Sequence, residues 1–393
     1  MSSSENQGFS MSLASFGRSI WGTSREEVHS VSSIHESTAE DEDLQSFQSD
    51  VLKRFHDLSL VNDDEFLSLA WMKKLLDAFL CCQEDFRVLL INNKSKVSKP
   101  PLDQIVAEYF DRSVKALDIC NATRDGIEIV RQWEKQSEIV LCALESTQRA
   151  ALGEGQFRRA RKALMELAIA MLDEKDSGSV LSQRNRSFGR HNASKDHHHN
   201  RTGHSRSLSW SVSRSWSAAK QLQSIANSLT PPPRNEILAT GGLAIPVFIM
   251  SCVLMFVLWA IVAAIPCQDR SLQCHFSIPR HFSWGAPLLV LHERVIEESK
   301  KRERRNSNGL LKEINNIEKC TRHLIDLVES AELPLKDVQK AALEREVGDL
   351  SLVCGALKSS LDPLEMQVRK MFRKIMNCRI EGLEFLAILN NPQ

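Results

Sequence analysis

From Ile237 to Pro266 the chain carries no charged residue: ILATGGLAIPVFIMSCVLMFVLWAIVAAIP. No other stretch of the sequence limits the fold so severely. An α-helix rises about 1.5 Å per residue, so about 20 residues cross the hydrocarbon layer of a bilayer. Leu243 to Ile265 is long enough on its own, and its apolar residues run all round the helix. Such a helix has two possible environments, lipid or the centre of a protein bundle. The span marked by Leu243, Phe248, Leu254, Phe256, Trp259 and Ile265 is read as a candidate single-pass transmembrane helix. The alternative is the middle helix of a water-soluble bundle. Orientation is not readable: Lys220 and Arg234 lie upstream, Arg270 and Arg280 downstream, and the positive-inside count ties.

The text on either side of this segment is helical. Phe66, Leu69, Met72, Leu76, Phe79 and Phe86 recur mostly at steps of three or four, which places them on one helix face. That face predicts helix over about 49–92, with Asn62, Asp63 and Asp64 ahead of the run as an N-cap region. Pro100-Pro101 closes the connector that follows. A second stripe runs through Leu102, Val106, Tyr109, Leu117 and Cys120, and a third through Ile127, Val130, Trp133, Val140 and Leu144. Gly126 lies between them as a break or a kink. Ala160, Ala163, Leu164, Leu167 and Met171 form the inward face of a further helix. Residues 49–175 therefore read as an N-terminal helical bundle. Past the apolar segment, the charged run Lys300 to Arg305 reads as a solvated helix face, with contact to anionic lipid as the alternative. The stripes Leu310 to Val328, Leu343 to Leu361 and Leu364 to Cys378 follow, punctuated by Pro334 and Pro363. They make residues 286–390 a C-terminal bundle. The predicted class is all-α: helical bundles flanking one strongly apolar helix.

Two regions lack such stripes. Residues 1–48 are Ser-rich with the acidic run Glu40 to Asp43, the composition of a disordered tail. Residues 176–211 are dominated by Ser, Arg and His and read as a flexible basic linker. Arg184, Arg206 and Arg214 each precede a serine by three positions. Basophilic kinases favour that spacing, which makes Ser187, Ser209 and Ser217 expected phosphorylation sites. Order returns over 212–230, where Val212, Trp216, Ala219, Leu222, Ala226 and Leu229 give an amphipathic helix. It suits either a membrane interface or the protein's own core.

Composition excludes several classes. Lys+Arg and Asp+Glu both number 50, so there is no basic excess of the kind nucleic-acid surfaces need. The ten cysteines show no Cys-x-x-Cys pair, and no apolar signal core follows Met1 to Asn6. Reduced thiols on the intracellular side are expected. The His197-His198-His199 run has no cysteine near it, and Cys267, Cys274 and His275 match no standard metal spacing. Gly153-Glu154-Gly155 is not a phosphate loop, His292-Glu293 has no second zinc histidine, and Gly-x-Ser-x-Gly does not occur. No catalytic, cofactor-binding or metal residue is assigned, and neither a nucleic acid nor a small-molecule substrate is expected.

Several strings are long and distinctive. They are FDRSVKALDICNATRDGIEIVRQWEK (Phe110 to Lys135), RNRSFGR (Arg184 to Arg190), RSLSWSVSRSWSAAKQLQ (Arg206 to Gln223) and AIPCQDR (Ala264 to Arg270). LLDAFLCCQEDFR (Leu75 to Arg87) and HERVIEESKKRERR (His292 to Arg305) join them. From about residue 45 to the end the chain resembles the plant ROH family, relatives of the BYPASS proteins. The resemblance implies a non-catalytic protein of the secretory system that binds the seventy-kilodalton subunit of the exocyst. It implies a place at the membrane and in the cytoplasm, on the plasma-membrane side of secretion. It also implies effects on growth and on cell-wall or mucilage deposition. A soluble cytosolic regulator of growth and development, of the BYPASS kind, is the alternative.

Overall fold

The computed structural model describes residues 37–144, 153–176, 217–267, 277–303, 308–331 and 334–387. Contacts group Glu42–Gln393 into one compact unit; of Met1–Asp41, only the first turn of the first helix is described. Every regular element among these residues is helical. The order is α1 (Ser37–Ser59), α2 (Leu69–Asn92), α3 (Lys94–Val97), α4 (Leu102–Leu144) and α5 (Glu154–Asp176). Then come α6 (Ala218–Asn227), α7 (Arg234–Ala239), α8 (Ala244–Ala264), α9 (Ala286–Glu303), α10 (Lys312–Glu329) and α11 (Asp337–Ala387). A 3₁₀ turn, Ser283–Gly285, leads into α9.

The stripes become the core. In α11 Leu343, Leu350, Cys354, Leu357, Leu361, Leu364, Val368, Met371, Ile375 and Cys378 are all buried on one face. That face runs unbroken through Pro363, so one helix stands where the proline predicted two. Pro363 removes one backbone donor but leaves the stripe in phase on both sides. Gly126 likewise does not break α4, which is continuous from Leu102 to Leu144. Conversely, the helix expected over 49–92 is divided. Asn62 Oδ1 accepts from the Glu65 N–H at 2.8 Å and holds a turn, and Leu67 adopts φ +59°. Ser68, not the Asn62–Asp64 group, caps α2, its Oγ accepting from the Trp71 N–H at 3.1 Å. Helix α1 begins at Ser37, inside the stretch that composition assigned to a tail.

Two hydrophobic cores result. The larger gathers α1, α2, most of α4, Leu167 and Met171 of α5, α6, α8, α9, Ile314 and Ile317 of α10 and the second half of α11. The smaller joins Val140 and Leu144 of α4, Phe157 to Leu164 of α5, Cys320 to Val328 of α10 and the first half of α11. Helices α4 and α11 run through both cores. The N- and C-terminal bundles expected on either side of the apolar helix therefore share one interior. Ion pairs line the seam: Arg131 of α4 meets Asp362 and Glu365 of α11, each at 2.9 Å. Arg87 of α2 holds Glu381 of α11 at 2.6 Å.

Candidate functional site

The apolar segment forms α8, and it sits in the larger core. All of its residues except Ile245 are buried. Among the described residues it is the one helix long and apolar enough to cross a membrane by length and composition. In the folded chain it is packed against α2, α4, α6 and α9. Helix α1 reaches it through Phe55, whose ring meets Phe256 edge-on at 6.0 Å. Phe248 lies against Trp284 at 5.9 Å and Phe282 at 5.7 Å, and Trp259 stacks near His292 at 4.4 Å. The six residues that marked the candidate membrane span, Leu243, Phe248, Leu254, Phe256, Trp259 and Ile265, are each no more than 5% exposed.

Both ends of α8 are built to be covered. The chain turns into it at Gly241 and Gly242, with φ +57° and +86°, a backbone that glycine adopts without penalty. Thr240 Oγ1 accepts from the Ala244 N–H at 3.2 Å, satisfying one of the first donors. At the far end, the Leu310 and Leu311 N–H groups donate to Ala263 O and Ala264 O at 3.0 and 3.1 Å. The next amide, Lys312 N–H, donates to Leu67 O at 2.9 Å. Residues 308–311 thus form a strap that satisfies carbonyls a helix end leaves without partners. Arg302 anchors the strap. It is 5% exposed and donates to Gly309 O at 3.3 Å, Leu311 O at 3.1 Å and Glu298 at 3.0 Å. Part of the run expected to be a solvated face is therefore buried, because the guanidinium is needed at buried carbonyls. Glu313 completes the joint by accepting from the Leu69 N–H at 3.1 Å, and burial raises its pKa above the ordinary carboxylate range.

Two glycines make this closeness possible. A Cβ on Gly126 would stand 2.2 Å from Pro266 O, and one on Gly309 would stand 2.5 Å from Ala264 O. Neither the strap nor the role of Gly126 was legible in the sequence. The one signal was a glycine sitting in phase between two apolar stripes, and close helix approach explains it better than a break.

Burial pushes the thiols of Cys120 and Cys378 up to about 12, and those of Cys82, Cys320 and Cys354 to about 11. Such thiols stay protonated at neutral pH and are poor nucleophiles and poor ligands. Among the described residues no three His, Cys, Asp or Glu side chains gather as a metal would require. A surface crease between α5 and α10, lined by Arg161, Leu164, Met165, Ile325, Val328 and Glu329, has no interior room for a water molecule and is no ligand pocket.

The family model described as Protein ROH1-like matches residues 5–386. The chain belongs to the ROH1-like family. It is 53% identical over 382 residues to Protein ROH1D of Arabidopsis thaliana, covering 94% of this chain and 96% of that protein. It is 36% identical over 383 residues to Protein ROH1A of the same plant, covering 88% and 90%. The match thus begins well before residue 45, where the sequence resemblance was placed. No solved structure matches the chain.

Within this ROH1-like fold, the amphipathic stretch 212–230 contributes α6, which turns Ala218, Ala219, Leu222 and Ile225 into the core. Val212 and Trp216 of its predicted stripe lie outside the described residues. Ser217 is the N-cap of α6: its Oγ accepts from the Lys220 N–H at 3.1 Å, and the residue is 3% exposed. A kinase would reach that hydroxyl only after α6 had opened. Ser187 and Ser209 lie outside the described residues.

Proposed function

We propose that this ROH1-like chain is a non-catalytic interaction protein that works at a membrane and adjusts exocyst-dependent secretion. Its partner would be the exocyst's seventy-kilodalton subunit. Membership of the family over residues 5–386 carries the reading. The architecture supports it: a helical body held by two cores and cross-helix ion pairs offers long outer faces for partners. Because α4 and α11 serve both cores, a binding assay requires the whole chain rather than either half.

Purified full-length chain mixed with the purified exocyst subunit tests the partner. Saturable binding at about 10 µM or tighter is expected. No binding at concentrations tenfold higher removes the exocyst from the reading. Membrane attachment takes one of two forms, differing in where α8 sits. Extraction of plant membranes with alkaline carbonate separates them. A body with α8 inside is released, whereas a chain with α8 across the bilayer stays in the pellet.

The burial of α8 at every residue but Ile245 favours a second reading, a soluble regulator of growth and development. A helix already hidden by protein needs no lipid. Recovery of the chain wholly outside membrane fractions, with no exocyst binding, would select it.

A further inference from the structure

The second half of α11 buries Leu364, Val368, Met371, Ile375, Cys378 and Gly382 on one face. Its opposite side carries Met366, Arg369, Arg373, Met376, Ile380 and Leu383, whose steps of three and four put them on one line. Met366, Met376, Ile380 and Leu383 are 54%, 36%, 49% and 38% exposed. Lys370 and Arg373 are exposed with them and make no ion pair among the described residues. From Met366 to Ile380 the chain carries five basic residues and no acidic one, although Lys+Arg and Asp+Glu balance at 50 each over the whole sequence. Of the acids that flank this run, Glu365 is held by Arg131 and Arg369, and Glu381 by Arg87. Glu384 is exposed at the far end, where Lys94 stands 4.7 Å from the centre of the Phe385 ring and supplies a further cation.

Exposed aliphatic groups and uncompensated cations on one line of a helix are the two halves of a bilayer contact. Apolar tips enter the headgroup boundary, and Lys and Arg are drawn to anionic lipid. Their long stems lie along apolar surface while the charges stay in water. We propose that the outer face of α11, from Met366 to Leu383, docks on an anionic membrane surface. The proposal rests on the reading that the chain works at a membrane, and it gives a body that keeps α8 inside a means of attachment. Cations spread over about four turns of a convex helix face match a diffuse negative surface rather than a single acidic side chain.

Sedimentation of the purified full-length chain with vesicles is the test. With phosphatidylcholine vesicles holding about 30% phosphatidylserine the chain is expected in the pellet, and with phosphatidylcholine alone in the supernatant. Salt of about 0.5 M releases it, because the screening length shortens. Lys370→Gln with Arg373→Gln weakens the vesicle affinity about 30-fold, since each cation near such a surface is worth about fivefold. Lys370→Arg with Arg373→Lys keeps it. Ile380→Ser with Leu383→Ser weakens it about tenfold. All these side chains are exposed, so each variant keeps the circular dichroism and melting temperature of the wild type. Binding to acidic vesicles that ignores the Gln and Ser variants overturns the assignment of this face and leaves the membrane reading standing. Equal binding to neutral vesicles does the same, because it marks insertion of α8. No binding to either vesicle also overturns the proposal and leaves the face to an acidic protein; carbonate extraction then decides the membrane reading by itself.

Discussion

Helices α8 and α11 are opposite answers to the same requirement of hiding apolar surface. Helix α8 is short, uncharged and buried at every residue but Ile245. Helix α11 is 51 residues long and buries one face while the other carries charge and, at Leu352 and Val338, exposed aliphatic groups. A one-faced helix announces its partner side in its spacing. A helix apolar all round announces only that something must cover it. The difference makes α8 intolerant everywhere and α11 tolerant along its outer half.

The strongest way to break the comparison is charge. Leu254→Asp, at a position 0% exposed, is expected to cost more than about 4 kcal/mol in urea unfolding, because an unpaired carboxylate enters the core. Leu352→Asp, at 76% exposure, stays within about 0.5 kcal/mol. Equal effects would mean that the two helices are not packed as described. Backbone approach comes next. Gly126→Ala sets a methyl group 2.2 Å from Pro266 O and is expected to cost about 3 kcal/mol. Gly348→Ala in α11 meets nothing within 4 Å and is expected to gain about 0.5–1 kcal/mol, read as a higher melting temperature. Pro363→Ala sharpens the claim that α11 is one helix. It restores a missing backbone donor and is expected to stabilise by about 2 kcal/mol. A loss of stability there would show that the proline serves a bend the packing needs.

A further effect concerns pH at the α4–α11 seam. Burial would raise the pKa of Glu365, but hydrogen bonds and charge from Arg131 and Arg369 outweigh it and hold the carboxyl below the ordinary range. In the unfolded chain it titrates near about 4.3. The folded state therefore binds fewer protons, and its added stability is full above that value and is lost as pH falls through the folded pKa. Arg131→Met should remove about 1 kcal/mol at pH 7 and flatten the stability profile below about pH 4.3. An unchanged acid limb would deny the seam any role.

Much of the fold was readable because stripes at steps of three and four survive local irregularity. The α11 stripe from Leu343 to Cys378 is present in the sequence almost residue for residue. What failed was punctuation. Pro363 and Gly126 are breakers by local preference, yet long-range packing of α4 against α11 and of α4 against the end of α8 overrides that preference. The site was less legible. Ile237 to Pro266 identified the helix but not its cover, since hydropathy measures avoidance of water and is silent about what replaces it. The strap at Leu310–Lys312 acts through backbone amides, which any sequence supplies. Arg302 looked like surface because its anchoring partners are carbonyls brought close only by folding. Ser217 was read for its arginine, while its hydroxyl is occupied as a cap.

The order of the cover around α8 has a consequence on the ribosome. Helices α1, α2, α4 and α6 are synthesised before it, so a trough can await the apolar segment as it emerges. Trp284, α9 and the strap come after. At about 5–20 residues per second, the nascent chain presents one greasy flank for a few seconds before its lid arrives. During that interval chaperones, translocation machinery and the growing polypeptide itself compete for the same segment, and speed of synthesis helps to choose the winner.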